Sequence, residues 1–222
     1  IGENVRLEGG NTQVSFEGAD VDLSGDWVMG TGTLFSFFGF STNGGVWDWG
    51  ARLTVSGDLT IADNAWIHPY SHPTNGGAPL LRCQTLQVAA GGGFNADGRG
   101  YDQNRGPGAG TSAGTTTAGG GGHGGKGGDS SAGRKGGNAY ARPLIAPYTG
   151  SGGGSTTSAR GGTGGGVIRV EANEIVLAGT LTAKGGDGGI YTGREAGAGA
   201  GGSIFLITQR FSGSAGSVLN VN

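Results

Sequence analysis

The sequence predicts an all-β chain: a parallel β-helix or solenoid-like core with inserted polyglycine-II helices and essentially no α-helix. Three observations predict it. Apolar pairs at i, i+2 recur in strand-length segments that each close on Gly or Asp. A two-part unit, alternating strands followed by Gly-Gly-X triplets, is clearest at 166–189 and recurs on both sides of it. No window holds an i, i+3, i+4, i+7 apolar pattern without a glycine breaking it.

Composition narrows the class. Glycine supplies 55 of 222 residues, several times the usual share of about 7%. A collagen triple helix is excluded, because there is no strict Gly-X-Y period and only six prolines. Lys and Arg number 14 against 16 Asp and Glu, for a net charge of −2. That is no footprint for nucleic acid or an anionic membrane surface. No apolar run is long enough to insert in a bilayer. Cys83, the single cysteine, cannot make an internal disulfide; it takes an inward slot and reads as a small buried apolar residue. The chain begins at Ile1, directly in strand-like sequence, and reads as a processed or excised piece of a larger exported product.

Residues 1–77 form an N-terminal β region with an aromatic cluster. Its pairs Val5/Leu7, Val14/Phe16, Val21/Leu23, Leu53/Val55 and Leu59/Ile61 each place two apolar residues on one strand face. Turns every seven to nine residues suit a coil that repeatedly turns a corner, more than a sandwich. Residues 78–222 carry the repeat, continuing one solenoid. Leu81, Cys83, Val88, Ala90, Phe94 and Ala96 align without a gap on Ile168, Val170, Ile175, Leu177, Leu181 and Ala183. Ile204, Leu206 and Phe211 match Ile168, Val170 and Ile175, and Leu219 and Val221 match Leu181 and Ala183 after a two-residue insertion. One such unit cannot bury its own apolar face, but stacked units can.

Between the units the chain turns to glycine, at 99–165 and 186–202. A disordered linker is the plain reading of such composition. Against it stands the phase: GGHGGKGGD at 121–129, GGTGGG at 161–166 and GGDGGI at 185–190 keep period three. A glycine helix of the PPII type has three residues per turn. Gly121, Gly122, Gly124, Gly125, Gly127, Gly128, Gly161, Gly162, Gly185 and Gly186 are then the packing positions, with His123, Lys126, Asp129 and Thr163 pointing outward.

The segment IRVEANEIVLAGTLTAKGGDGG, and more loosely LRCQTLQVAAGGGFNADGRG and SIFLITQRFSGSAGSVLNVN, resembles glycine-rich, parallel-β-helix-like proteins of bacterial surfaces. The Gly-Gly-X runs are also similar to the glycine-helix bundles of tail-fibre adhesins and arthropod antifreeze proteins. The resemblance covers 78–222 and implies surface display and binding. It brings no catalytic motif.

The candidate chemistry is sparse. His68 and His72 flank Pro69, which argues for a polar turn over a chelating pair. Asn95, Asp97 and Asp102 look like part of an oxygen-rich calcium loop, but the EF-hand and β-roll spacings both fail; calcium is the one cofactor weighed. Glu171, Glu174 and Asp187 make no catalytic cluster, so no enzyme is expected. Trp27, Trp47, Trp49 and Trp66 are either core or a ligand or subunit surface. The uncapped closing strand offers Val218, Leu219 and Val221 as an interface. The expectation is a structural subunit of an extracellular filament or cell-surface layer whose partner is itself, by end-to-end or lateral β contacts. The alternative is a carbohydrate-binding or tail-fibre-like adhesin with surface glycans as partner. An ice-binding protein and a β-helix polysaccharide-active enzyme rank below both.

Overall fold

The computed structural model describes residues 5–8, 12–17, 20–40, 50–141 and 148–222. Among them the regular structure is entirely β. The described residues wind through six coils. β1 (Val5–Leu7) and β2 (Gln13–Glu17) belong to the first. β3 (Asp20–Leu23), β4 (Trp27–Met29) and β5 (Leu34–Phe38) make the second, and β6 (Ala51–Val55), β7 (Leu59–Ile61) and β8 (Trp66–Tyr70) the third. β9 (Pro79–Val88) and β10 (Gly93–Asn95) make the fourth, and β11 (Val167–Leu177) and β12 (Thr180–Thr182) the fifth. A hairpin of β13 (Ile190–Tyr191) and β14 (Arg194–Glu195) interrupts the second glycine insert, and β15 (Ser203–Gly213) with β16 (Val218–Asn220) closes the sixth coil.

The coils stack as two parallel sheets. One runs β1-β4-β7-β9-β11-β15, with β3 joining through β6 to β9; the other runs β2-β5-β8-β10-β12-β16. β9 pairs with both β6 and β7, because the bend at Ser56, Gly57 and Asp58 that splits the third coil is absent from the fourth. Like side chains therefore stack in ladders. Trp27, Leu59, Leu86 and Ile175 are successive partners, as are Met29, Ile61, Val88 and Leu177. Across the core, Phe35, Ile67, Phe94 and Leu181 do the same from the second sheet. All twelve are buried, each contributing on the order of 1.5–3 kcal/mol of apolar burial.

The register corrects the gapless alignment of the fourth and fifth coils. Leu81 pairs with Val170, Cys83 with Ala172 and Val88 with Leu177, while Phe94 still pairs with Leu181. The turn at 89–92 is two residues longer than the turn at 178–179, and Ala90 lies exposed in it. A slip of two keeps every side chain on its own face, so the alternation could not reveal it. The sixth coil falls as read, with Ile204, Leu206 and Phe211 on Ile168, Val170 and Ile175, and Leu219 on Leu181. Cys83 is half-buried against the core. Burial, then the Asp58 charge, pushes its thiol up to about 12, which leaves it unreactive.

Both glycine inserts leave the same corner, after β10 and after β12. They fold into extended segments that shuttle away from the solenoid and back. Their hydrogen bonds repeat every three residues. Gly162 and Gly165 donate to Gly197 and Ala200; Gly197 and Ala200 donate to Gly154 and Ser151; Gly186 and Gly189 donate to Thr163 and Arg160. Partners recurring at i, i+3 are what a threefold glycine helix requires. The absent side chains matter: a Cβ on Gly121, Gly122, Gly127, Gly161, Gly162 or Gly185 would overlap a neighbouring carbonyl oxygen, and one on Gly186 would press on Thr163. Gly124, Gly125 and Gly128 depart from the expected packing, since a Cβ there meets no described atom within 4 Å. They lie at the bundle's outside, where a triplet has neighbours on fewer sides.

Candidate functional site

Five of the large apolar side chains that stand exposed belong to the sixth coil: Ile207, Phe211, Val218, Leu219 and Val221, at 48, 51, 45, 52 and 44%. For Phe211 and Leu219 the exposure has a simple cause. Phe211 and Leu219 continue the ladders of Ile175 and Leu181, yet among the described residues no seventh coil covers them. β15 pairs on one side only, with β11, and β16 on one side only, with β12. Among the described residues, the opposite edges of both strands therefore present unpaired N–H and C=O groups. Ile204, Leu206, Leu219 and Val221 line a trough of about 510 Å³ between the two strands. The coil is nonetheless firmly built: Ser217 Oγ donates to the Leu177 carbonyl at 2.6 Å, and Asn220 and Asn222 carbonyls accept from Ala183 and Gly185.

The other residues singled out in the sequence separate. Trp27 is 2% exposed and packs edge-on against Phe35 at 4.8 Å; it is core, and the surface role offered for it does not hold. Trp66 is half-buried on the outer face of β8, beside Gly93. Trp47 and Trp49 lie outside the described residues. The calcium trio is not assembled around one point. Asn95 Oδ1 accepts from Asp97 N and from Arg99 Nη1, Asp97 Oδ1 accepts from Thr182 Oγ1 and Lys184 N, and Asp102 Oδ1 accepts from Gln103 N. Those oxygens face protein donors, one of them the Arg99 guanidinium, and Lys184 Nζ stands 4.0 Å from Asp97 Oδ2, which opposes a metal ion. His68 does not sit in a polar turn either. It belongs to β8, and Pro69 is tolerated there because it stands past the two residues at which β8 pairs with β10.

A second feature was not read from the sequence. Phe38 and Tyr70 are register partners on adjacent coils, and their rings stack at 4.3 Å and 13°. The Arg99 guanidinium lies over the Tyr70 ring at 4.9 Å. Its Nη1 donates to Asn95 Oδ1 at 2.6 Å and to the Asp97 carbonyl at 2.9 Å, and its Nη2 lies 3.0 Å from His68 Nδ1. Burial, then the Arg99 charge, lowers His68 to about 4, so at neutral pH the ring is uncharged and accepts. A cleft of about 500 Å³ opens where these side chains meet Phe40, His72 and Asp102. Aligning LFSFF at 34–38 with WIHPY at 66–70 is the signal that would have exposed the aromatic pair.

Comparison of the chain with protein-family models, curated proteins and solved structures finds no match.

Proposed function

We propose that this chain is a structural subunit of an extracellular filament or surface layer, adding end to end through its open sixth coil. The observation that carries this reading is the coincidence of unpaired strand edges and half-exposed ladder residues on one face, Phe211 and Leu219 foremost. The occupant is a second copy. Among the described residues, the opposite end of the stack presents β1 and β2, whose Val5 and Val14 hold the same ladder positions as Phe211 and Leu219. A copy added in register sets Val5 against Phe211 and Val14 against Leu219 and continues both sheets. Such a contact is heterologous and does not close, so it propagates as a filament.

Phe211→Lys with Leu219→Lys tests it. Both side chains are about half exposed, so the fold survives while inward charge blocks the joint. Wild-type protein should show concentration-dependent assembly by light scattering and filaments by negative-stain microscopy, and the double variant should stay monomeric with an unchanged melting curve. Wild-type protein that remains monomeric at every concentration overturns the reading.

The adhesin reading draws on a different place. At the end of the bundle remote from the solenoid, Ile190 and Tyr191 stand 76 and 59% exposed on the β13–β14 hairpin, and Arg194 on the same hairpin reaches Thr157 and Ser158 of a neighbouring hydroxyl-rich loop. A glycan array with Tyr191→Ala as control separates this reading from the first.

A further inference from the structure

The cleft beside β5 and β8 lies on the flank of the solenoid, away from the open coil and from the bundle tips. Its walls combine two kinds of group. Phe38, Tyr70 and Phe40 supply aromatic surface, Phe40 being 53% exposed and edge-on to His72 at 6.2 Å. Arg99 supplies a cation that cannot swing away, since it is stacked on Tyr70 and tied by three hydrogen bonds. All three acceptors are uncharged: an amide oxygen, a backbone carbonyl and a neutral imidazole. No ion pair of Arg99 occurs among the described residues, and its Nε finds no partner there.

Hydroxyl-binding groups complete the lining. Ser71 is 4% exposed, and its Oγ has no hydrogen-bond partner among the described residues. His72 Nδ1 accepts from the amides of Thr74 and Asn75 at 3.4 and 3.3 Å, which leaves its proton on Nε2. The exposed Asp102 carboxylate keeps acceptor capacity beyond its bond to Gln103 N. About 500 Å³ falls in the range of small-ligand sites.

We propose that this cleft binds a saccharide residue bearing a carboxylate, with the sugar's C–H face on the Phe38 and Phe40 rings and its carboxylate on Arg99. A guanidinium fixed before the ligand arrives, without a carboxylate of its own, favours an anion over a neutral group. Aromatic walls favour the flat apolar face of a pyranose over a small inorganic anion. The hydroxyls of the ring fall to Ser71, His72 and Asp102.

The test is titration of the full-length protein with methyl glucuronide, methyl glucoside and inorganic phosphate, followed by NMR or calorimetry. Glucuronide should bind at least about tenfold more tightly than glucoside, a difference typical of one charge-assisted contact, and phosphate more weakly than either. Phe40→Ala should weaken both sugars several-fold, since that ring is half exposed and its loss spares the core. Arg99→Gln should erase the preference and leave glucoside binding within about twofold. Should Arg99→Gln fail to fold, added salt makes the same distinction by weakening glucuronide alone. Equal affinity for the two sugars, binding of phosphate alone, no binding, or indifference to Phe40→Ala each overturns the proposal. None of these outcomes bears on end-to-end assembly, which is read by scattering.

Discussion

The solenoid and the glycine bundle hold their neighbouring chains by the same N–H···O chemistry, yet their side-chain rules are opposite. In the solenoid alternate residues point inward and most of them are large. Phe35, Ile67, Phe94 and Leu181 fill one ladder with almost no exposed surface. In the bundle the residues between chains must be nothing at all, because Gly162 faces the Gly186 carbonyl and Gly197 that of Gly119 at distances that exclude a methyl group. The first region gains its stability from apolar area removed from water. The second buries little apolar area, and holds through backbone pairing and the close approach that glycine alone permits. Loss of volume or added polarity harms the one; added volume harms the other.

The largest expected effect breaks the solenoid side. Leu177 is 1% exposed and pairs with Val88 and Gly213. Leu177→Asp buries a carboxylate without a partner and should cost several kcal/mol, about 3–5. Chemical denaturation reads it: the last two coils should melt early, and an unchanged midpoint would contradict the register.

On the bundle side the expected effect is intermediate and depends on position. Gly162→Val forces a side chain into the Gly186 carbonyl, with an overpacking cost of about 1–3 kcal/mol. Gly125→Val points into open space and should stay within about 0.5 kcal/mol. Limited proteolysis at 99–165 should therefore accelerate for the first variant and not for the second. Equal rates would mean that the hydrogen-bonded bundle contributes nothing to protection.

The smallest effect concerns acid. His68 titrates at about 4 in the folded solenoid against 6.5 unperturbed, so between those values the unfolded chain binds the extra proton. Its contribution is complete above pH 6.5 and is lost as the pH falls toward 4, by about 1–2 kcal/mol, because solvent screens a half-exposed ring. His123 at the base of the bundle is also lowered, by burial, so acid loosens both regions. His68→Asn keeps an acceptor for Arg99 and should flatten only the solenoid's share, measured as the wild-type minus variant melting temperature from pH 7 to pH 4.5.

Much of this architecture was legible because each region announces itself by a period. Leu53/Val55 and Leu59/Ile61 alternate, and the strands β6 and β7 follow. The triplets at 161–166 and 185–190 keep phase, and their hydrogen bonds recur every third residue. Period alone does not give neighbours. It could not show that Gly125 lies at the edge of the bundle while Gly162 lies inside it, nor that the 89–92 turn carries two extra residues. The cleft was hidden for the same reason. Phe38, Tyr70 and Arg99 are about thirty residues apart in sequence and meet only because one coil is about that long.

The bundle also dictates an order of events during synthesis. The second, third and fourth coils can each stack on the coil before them as they emerge, since β1 and β2 await β4 and β5, and those in turn await β7 and β8. The 118–122 segment can do this only in part, through the bonds of Gly119 and Gly122 to Thr111 and Gly108. Gly121 donates to Ala198 and Ala118 to Glu195, some eighty residues downstream, and Gly162 waits for Gly197. The first insert can pair within itself, as Gly127 with Gly137 and Gly137 with Gly120, but its remaining donors stay solvated until the fifth coil and the hairpin have followed. Closing such long loops carries an entropic cost before any contact rewards it. The solenoid is built in sequence order, rung upon rung, whereas the bundle closes late, and closes from both inserts at once.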